Sequence, residues 1–422
     1  MADKFDVRIL GVANFDSTAE TTLFVEDGER VLVDATTFSC RDCKLNPPSM
    51  ERAGPRRKVF FAPGSVRAAI VTCGGLCPGL NDVVRAVVMV LWYRYGVRDI
   101  LGLKYGFEGL VPAIGHKPLV LNPEVVADIH RNGGTILGTS RGGQDPGEMV
   151  EFLIRSGINV LFTVGGDGTQ HGALVLAREI ERRKLSISVI GIPKTIDNDI
   201  AFTERSFGFE TAVAESQNAI DGAHMEAKGV RNGIGLVKLM GREAGFVAAY
   251  ATLASSDVNL VLIPEQAFSL DKVMSFLQDR LLRKAHAVIV VAEGAGQDLV
   301  ASLGVDASGN KTPGDIGIYL KTAISHHFQK AGIPVSVKYI DPAYLIRSVP
   351  ANADDSVFCF QLAGNAVHAA MSGRTAMVVG LWNGQFVHIP VEIAIATRKN
   401  IDVKSLLWQS VLDNTGQPKD LL

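Results

Sequence analysis

Residues 160–200 read VLFTVGGDGTQHGALVLAREIERRKLSISVIGIPKTIDNDI, and two turns within this stretch decide the fold. The apolar run 158–164 predicts a buried strand and the spacing over 172–184 predicts a helix. Between them stands Gly165-Gly166-Asp167-Gly168-Thr169. Glycines let the backbone pass close to a ligand, and the start of the helix offers unpaired N–H groups and a positive dipole end to an anion. Asp167 on its own would repel that anion. A carboxylate among phosphates is tolerable when a hard cation lies between them, so Asp167 is the expected Mg²⁺ ligand.

A second apolar run, 187–192, predicts another strand, which leads into Pro193-Lys194-Thr195-Ile196-Asp197-Asn198-Asp199. Two carboxylates, a hydroxyl and an ammonium meet there. In a doubly wound α/β sheet, ligands sit outside the carboxyl ends of the strands, and both turns lie at such ends. A carboxylate in this position can accept a proton from an attacking alcohol, with Lys194 helping to keep it ionised.

The same strand, glycine turn and helix design recurs upstream. Residues 68–73 predict a strand, Gly74-Gly75-Leu76-Cys77-Pro78-Gly79 a turn and 81–95 a helix. A strand at 99–103 precedes the turn 104–110, and Gly138-Thr139-Ser140-Arg141-Gly142-Gly143 forms a loop. Downstream, a helix is expected at 207–225, where His224 reads as packed or surface rather than catalytic. Strands follow at 233–239, ending in Met240-Gly241-Arg242, at 258–264, at 287–292, ending in Glu293, and at 335–340. Residues 316–330 and 351–371 predict helices, 376–381 a strand, and the tail helix and loop.

The first 65 residues read as a small β-containing extension, with runs at 7–12 and 23–33 and a hairpin turn at Glu26-Asp27-Gly28-Glu29. The cluster Arg56-Arg57-Lys58 is expected on a solvated face. The 422 residues suffice for two or three domains, and 42 basic against 44 acidic residues argue against a nucleic-acid footprint. The apolar residues fall in short runs rather than one membrane span, and the N-terminus has no long apolar core, so no membrane partner and a cytoplasmic protein are expected. Five cysteines, Cys40, Cys43, Cys73, Cys77 and Cys359, read as reduced thiols. A zinc site from Cys40 and Cys43 with Cys73 and Cys77 is the weaker alternative, because the latter two lie in the glycine turn.

Taken together, GGLCPG at 74–79, GTSR at 138–141, GGDGT at 165–169, PKTIDND at 193–199 and MGR at 240–242 resemble the phosphofructokinase family, over about residues 68–374. GGDGT alone would also fit NAD kinases and lipid kinases. The resemblance implies two doubly wound Rossmann-like lobes with the active site in the cleft: residues 66–208 with 342–385 on the donor side, and 209–341 with 386–422 on the sugar-phosphate side. It implies a 6-phosphofructokinase, in which the 1-hydroxyl of fructose 6-phosphate attacks the terminal phosphoryl group of a donor. Asp197 would be the base, Thr195 would orient the transferring group and Arg141 would stabilise its charge. Gly75, Gly166, Gly168, Thr169, Gly172 and Lys194 would line the donor site. Asp199, assigned to metal or local hydrogen bonding, joins Met240, Gly241, Arg242, Glu293, Lys338, Tyr344 and Arg347 on the sugar-phosphate side. Lys338 and Tyr344 stand where bacterial members usually carry arginine and histidine, Leu76 stands where an aspartate is frequent, and Arg231 lies two positions out of register with a family arginine. A homo-oligomer, dimer or tetramer, is also implied.

Two residues pull the donor assignment apart. Gly168 resembles the ATP-using type, whose glycine leaves room for the α-phosphate, whereas Lys194 is usual in pyrophosphate users, although the pair also occurs in plant and trypanosomatid ATP-dependent members. Steric exclusion is the harder constraint, so ATP is the expected donor and pyrophosphate the alternative. A non-catalytic, sugar-phosphate-binding paralogue is the remaining reading.

Overall fold

A computed structural model describes residues 4–19, 21, 23–36, 47–301, 304 and 314–422. Cys40 and Cys43 lie outside the described residues, so the zinc alternative that needs them does too. The chain divides into two compact units, Met1–Thr195 with Ile200–Gly208 and Ser348–Thr397, and Ile196–Asp199 with Phe209–Arg347 and Arg398–Leu422.

The first unit is built on a nine-stranded sheet. Its five central strands are parallel and lie in the order Asp99–Gly102, Arg67–Thr72, Val160–Gly165, Ser188–Pro193, Met377–Trp382. Numbered along the chain, this order is 2-1-3-4-5. The winding therefore reverses between Arg67–Thr72 and Val160–Gly165, which makes their carboxyl ends the topological switch point of the sheet. Every residue of Val160–Gly165 and Ser188–Pro193 is buried, as parallel strands covered on both faces require. On one face, Ala69, Val71, Leu161 and Val189 pack with Met149 and Leu153 of the helix Pro146–Arg155 and Leu176 and Ile180 of Asp167–Arg182. The helices Leu80–Tyr95 and Ala353–Met371 pack on each other.

The N-terminal region belongs to this unit, and its strands differ from expectation. The turn at Glu26–Glu29 forms, with Glu29 N donating to Glu26 O at 3.2 Å, but among the described residues its two flanks do not pair with each other as a hairpin. Instead Val25 N donates to Pro55 O, and Arg30–Leu32 pairs antiparallel with Ser49–Arg52. That pair continues the main sheet through Gln385–Pro390. The latter strand is the second arm of a hairpin whose turn, Asn383-Gly384, has positive φ at both residues (47° and 70°). Residues 386–397 lie in the first unit, whereas they were expected to group with 209–341.

Arg56 is not on a solvated face. It is 3% exposed, its guanidinium donates to Glu51 at 3.1 Å, and Glu51 also receives Arg374 and, at 2.9 Å, His388 Nδ1. Arg57 and Lys58 are exposed as expected. Burial alone would raise the Glu51 carboxyl, but the His388 and Arg374 interactions hold it far below the usual carboxylate range. Burial drives His388 toward its neutral form, so the guanidinium groups carry the positive charge. Removing Glu51 leaves two buried cations with only the exposed Asp27 as a shared carboxylate partner. Glu51→Ala is therefore expected to cost about 3–5 kcal/mol in urea unfolding at neutral pH. Because the folded pKa is depressed, this contribution is full above the unfolded carboxyl pKa near 4.5 and disappears as pH falls through the folded value.

The second unit carries four parallel strands in the order Leu260–Leu262, His286–Ala292, Gly233–Leu239, Ser336–Ile340. The helix Phe209–Lys228 lies on the strand Gly233–Leu239, where its backbone leaves room only for glycine at 233 and 235. Val237, Leu239, Val288 and Val290 pack with Ile220 and Ala223 of that helix and with Trp408 and Val411 of Leu406–Thr415. His224 stacks on His286 and contacts Asp257 at 3.0 Å, a packed position with no catalytic partner among its contacts.

Candidate active site

On the first unit, the ladder sets Thr72 opposite Val164 and Gly165 opposite Pro193, so three turns leave the switch point side by side. Gly166 caps the helix Asp167–Arg182. A side chain at Gly165 would meet Thr169 Oγ1 at 2.1 Å, so the turn needs glycine there. Thr169 itself is buried beneath the turn. Gly168 is the opposite case: a Cβ there would have no atom within 4 Å. Gly172, expected at the donor site, sits farther along the helix with the Phe107 ring 2.6 Å from where its Cβ would be, a packing contact.

The Gly74-Gly75 turn is held from two sides. Gly74 N donates to Ser140 O at 3.0 Å while Thr139 Oγ1 donates to Gly74 O at 2.5 Å, which fixes the loop carrying the exposed Arg141 beside the glycine turn. Lys194 Nζ donates to Gly75 O at 2.6 Å and its backbone N–H to Gly165 O at 3.0 Å. Lys194 thus ties the two glycine turns together, its ammonium holding one and its backbone N–H the other. Cys73, under the same turn, is pushed up to about 12 by burial, which keeps it a thiol at neutral pH. Thr195 is partly buried, and its carbonyl accepts from Ser206 Oγ at 2.5 Å.

On the second unit, Leu239 lies opposite Ala292, so Met240-Gly241-Arg242 and Glu293 emerge together from neighbouring strand ends. Gly241 has φ +126°, and a Cβ would stand 2.6 Å from Ala244 O. Met240 buries its side chain in the core, and its backbone forms the turn. Asp197 Oδ2 accepts from Arg242 N at 3.3 Å. Its carboxyl is pushed up to about 8 by burial, then by the negative charges of Asp199 and Glu293, against the pull of the Arg242 N–H and of Arg347. Glu293 is likewise raised by burial and opposed by Arg347, Arg242 and Lys238. The groups that pull the Asp197 carboxyl down are the Arg242 backbone N–H and the Arg347 guanidinium, while the Lys194 ammonium donates to Gly75 O. Asp199 contacts Arg398 at 3.9 Å and its carbonyl accepts from Lys399 N.

Arg347 ends the short helix Ala343–Arg347, with its guanidinium over the Tyr344 ring at 5.1 Å, and Tyr344 is 81% exposed. Lys338 is not brought to this group. It pairs with Gly235, four residues short of the strand end, and its ammonium lies 3.6 Å from Glu226. Arg231 precedes the strand Gly233–Leu239 and so lies at the end opposite Met240. The residue that sequence reading missed is Lys238. It is largely buried on the strand before the Met240 turn, bridging Asp315 at 3.0 Å and Asp341 at 2.9 Å, the latter just before the Ala343–Arg347 helix.

Among the described residues no group of three or more His, Cys, Asp or Glu side chains could hold a metal alone. A partly exposed Asp167 at a helix N-terminus fits Mg²⁺ all the same, because that ion takes one or two carboxylates and completes its shell with phosphate oxygens and water.

The sequence matches the family described as "Phosphofructokinase" over residues 67–370. An ATP-dependent 6-phosphofructokinase of Borreliella burgdorferi is 52% identical over 416 residues, 96% of this chain and 93% of that protein. One from Amycolatopsis methanolica is 48% identical, covering 99% and 96%. A solved pyrophosphate-dependent phosphofructokinase from Nitrosospira multiformis, 16% identical, aligns with a TM-score of 0.69 over 85% of this chain and 93% of that one, a likeness of fold alone. With a family match across most of its length and relatives near half identity over nearly all of it, the chain belongs to the phosphofructokinase family.

Proposed function

We propose that the chain is an ATP-dependent 6-phosphofructokinase of glycolysis, transferring the γ-phosphoryl group of ATP to the 1-hydroxyl of fructose 6-phosphate. The observation that carries this reading is the buried Asp197 carboxylate, held by Arg242 N at 3.3 Å in the field of Asp199, Glu293 and Arg347, which together with burial raises its pKa. A carboxylate with a pKa near the working pH is the suitable acceptor for the proton of an attacking alcohol.

Arg242, Glu293, Tyr344 and Arg347 bind the sugar phosphate, the cations taking its phosphate and Glu293 its hydroxyls, with the Met240-Gly241 backbone shaping the turn. Lys338 stands apart from these groups and is left out of this role. Gly75, Gly166 and the first turn of the helix Asp167–Arg182 receive the donor phosphates. Arg141 is positioned by its loop to neutralise charge on the transferring group, and Thr195 orients that group two residues before the base. Asp167 holds Mg²⁺, which supplies further charge neutralisation when bound with the donor. Gly168 leaves open space that suits a nucleotide rather than the more compact pyrophosphate. The two relatives carry ATP-dependent names, in keeping with that reading. The buried free thiols Cys73, Cys77 and Cys359 suit a reducing, cytoplasmic setting, and a homo-oligomer is part of the same reading.

The test is formation of fructose 1,6-bisphosphate by purified protein from fructose 6-phosphate and Mg²⁺, with ATP and pyrophosphate supplied separately. Product with ATP supports the proposal. Product with pyrophosphate alone replaces the donor, and sugar-phosphate binding without product under either condition replaces the enzyme with a binding paralogue.

A further inference from the structure

We infer that Glu265 is a positioning residue for the acceptor side of the reaction, an inference that rests on the functional reading above. It follows the strand Leu260–Leu262 and touches none of the groups assigned to substrate. Its carboxylate instead accepts from Gly245 N through both oxygens, at 3.0 and 3.1 Å, and from Ile401 N at 2.8 Å. These donors belong to segments far apart in sequence; one reaches the base Asp197 and the other reaches Asp199, two residues on.

Gly245 caps the helix Phe246–Ser255 and lies three residues beyond Arg242, whose backbone N–H donates to Asp197. Ile401 lies two residues beyond Lys399, whose backbone N–H donates to the Asp199 carbonyl at 2.9 Å. One carboxylate thus fixes both the Arg242 turn and the segment 399–401 that holds the Asp199 carbonyl. The fit at Gly245 is close. A Cβ there would stand 2.4 Å from Ile263 Cγ2 and 3.0 Å from Glu265 Oε2, so the helix start is seated directly on the loop that presents Glu265. A carboxylate at a helix N-terminus is also favourably placed for the helix dipole, which strengthens the anchor without any contact to substrate.

Substrate groups displaced by about 1 Å can lose two orders of magnitude in rate, so an anchor of this kind acts on catalysis through Arg242 and Asp197. The experiment compares Glu265→Ala and Glu265→Gln with the unsubstituted enzyme, beginning with calorimetric titration of fructose 6-phosphate into unsubstituted protein. The Ala variant is expected to raise KM for fructose 6-phosphate about tenfold and lower kcat about tenfold, with KM for ATP within about twofold. The Gln variant keeps the side-chain length and a carbonyl acceptor, and is expected to recover most of both losses. Gel filtration and thermal unfolding report whether each variant is folded.

A purely structural role predicts a different pattern, in which activity falls with the folded fraction while both KM values stay at the unsubstituted level. That pattern, or a folded Ala variant with unchanged kinetics, overturns the inference. A Gln variant as impaired as Ala also overturns it in the form given, since the retained oxygen would then anchor nothing. Absence of fructose 6-phosphate binding by unsubstituted protein overturns the functional reading and this inference with it, whereas normal binding with unaffected variants overturns only the role of Glu265.

Discussion

Asp197→Asn is expected to lower kcat by about 10²–10⁴-fold while fructose 6-phosphate still binds. Asparagine keeps the size of the side chain and an oxygen that can accept from Arg242 N, so the geometry at 3.3 Å survives while the proton acceptor is lost. The same substitution should make the fold more stable at alkaline pH. The folded carboxyl titrates near 8 against 3.8 for an ordinary aspartate, so the folded protein binds the extra proton between those values and stability falls as pH rises through that window. Asn removes this penalty. Its advantage in thermal unfolding should be absent near pH 4 and grow steadily with pH to its full value above pH 8. A variant that is inactive because it is unfolded would show the reverse, and a variant with unchanged kcat would remove Asp197 from the mechanism.

Gly168→Asp is expected to lower kcat/KM for ATP by about a hundredfold or more, the cost of placing a carboxylate against the α-phosphate. The protein itself does not resist this change. The position is the second residue of the helix Asp167–Arg182, where a Cβ meets nothing and an acidic side chain suits the positive end of the dipole. Loss of activity therefore reports on the donor and not on folding. Any activity with pyrophosphate should fall by much less, because that donor has no α-phosphate to displace. An equal loss with both donors would show that the substitution acts on the shared phosphate turns instead.

The parallel sheets were legible because their strands are continuous apolar runs closed by glycine turns, and the strand Gly233–Leu239 and helix Ile316–Lys330 coincide with the expected ranges. Some elements were overlooked although local signals existed. Asp145-Pro146, with Glu148 as its capped N–H, marks the start of the helix Pro146–Arg155, and Asn383-Gly384 marks the hairpin that keeps Gln385–Pro390 in the first unit. Other features have no local signal. Arg56 reads as one of three adjacent cations, and only the nonlocal approach of Glu51 and Arg374 buries it. Asp197 and Asp199 follow Thr195 directly in the chain yet pack with the other unit, through Arg242 N and Lys399 N. Lys338 was expected from the resemblance; its strand Ser336–Ile340 pairs it with Gly235, and its ammonium lies 3.6 Å from Glu226.

The most direct test of the account is the pH dependence of kcat/KM with both substrates well below saturation, so that the free protein is the titrating species. The account predicts a rate that rises with pH as a single group ionises, levels off above a pKa of about 8, and loses this limb in Asp197→Asn. A profile that is flat between about pH 6 and 9, or one whose limb persists unchanged in the Asn variant, would contradict it.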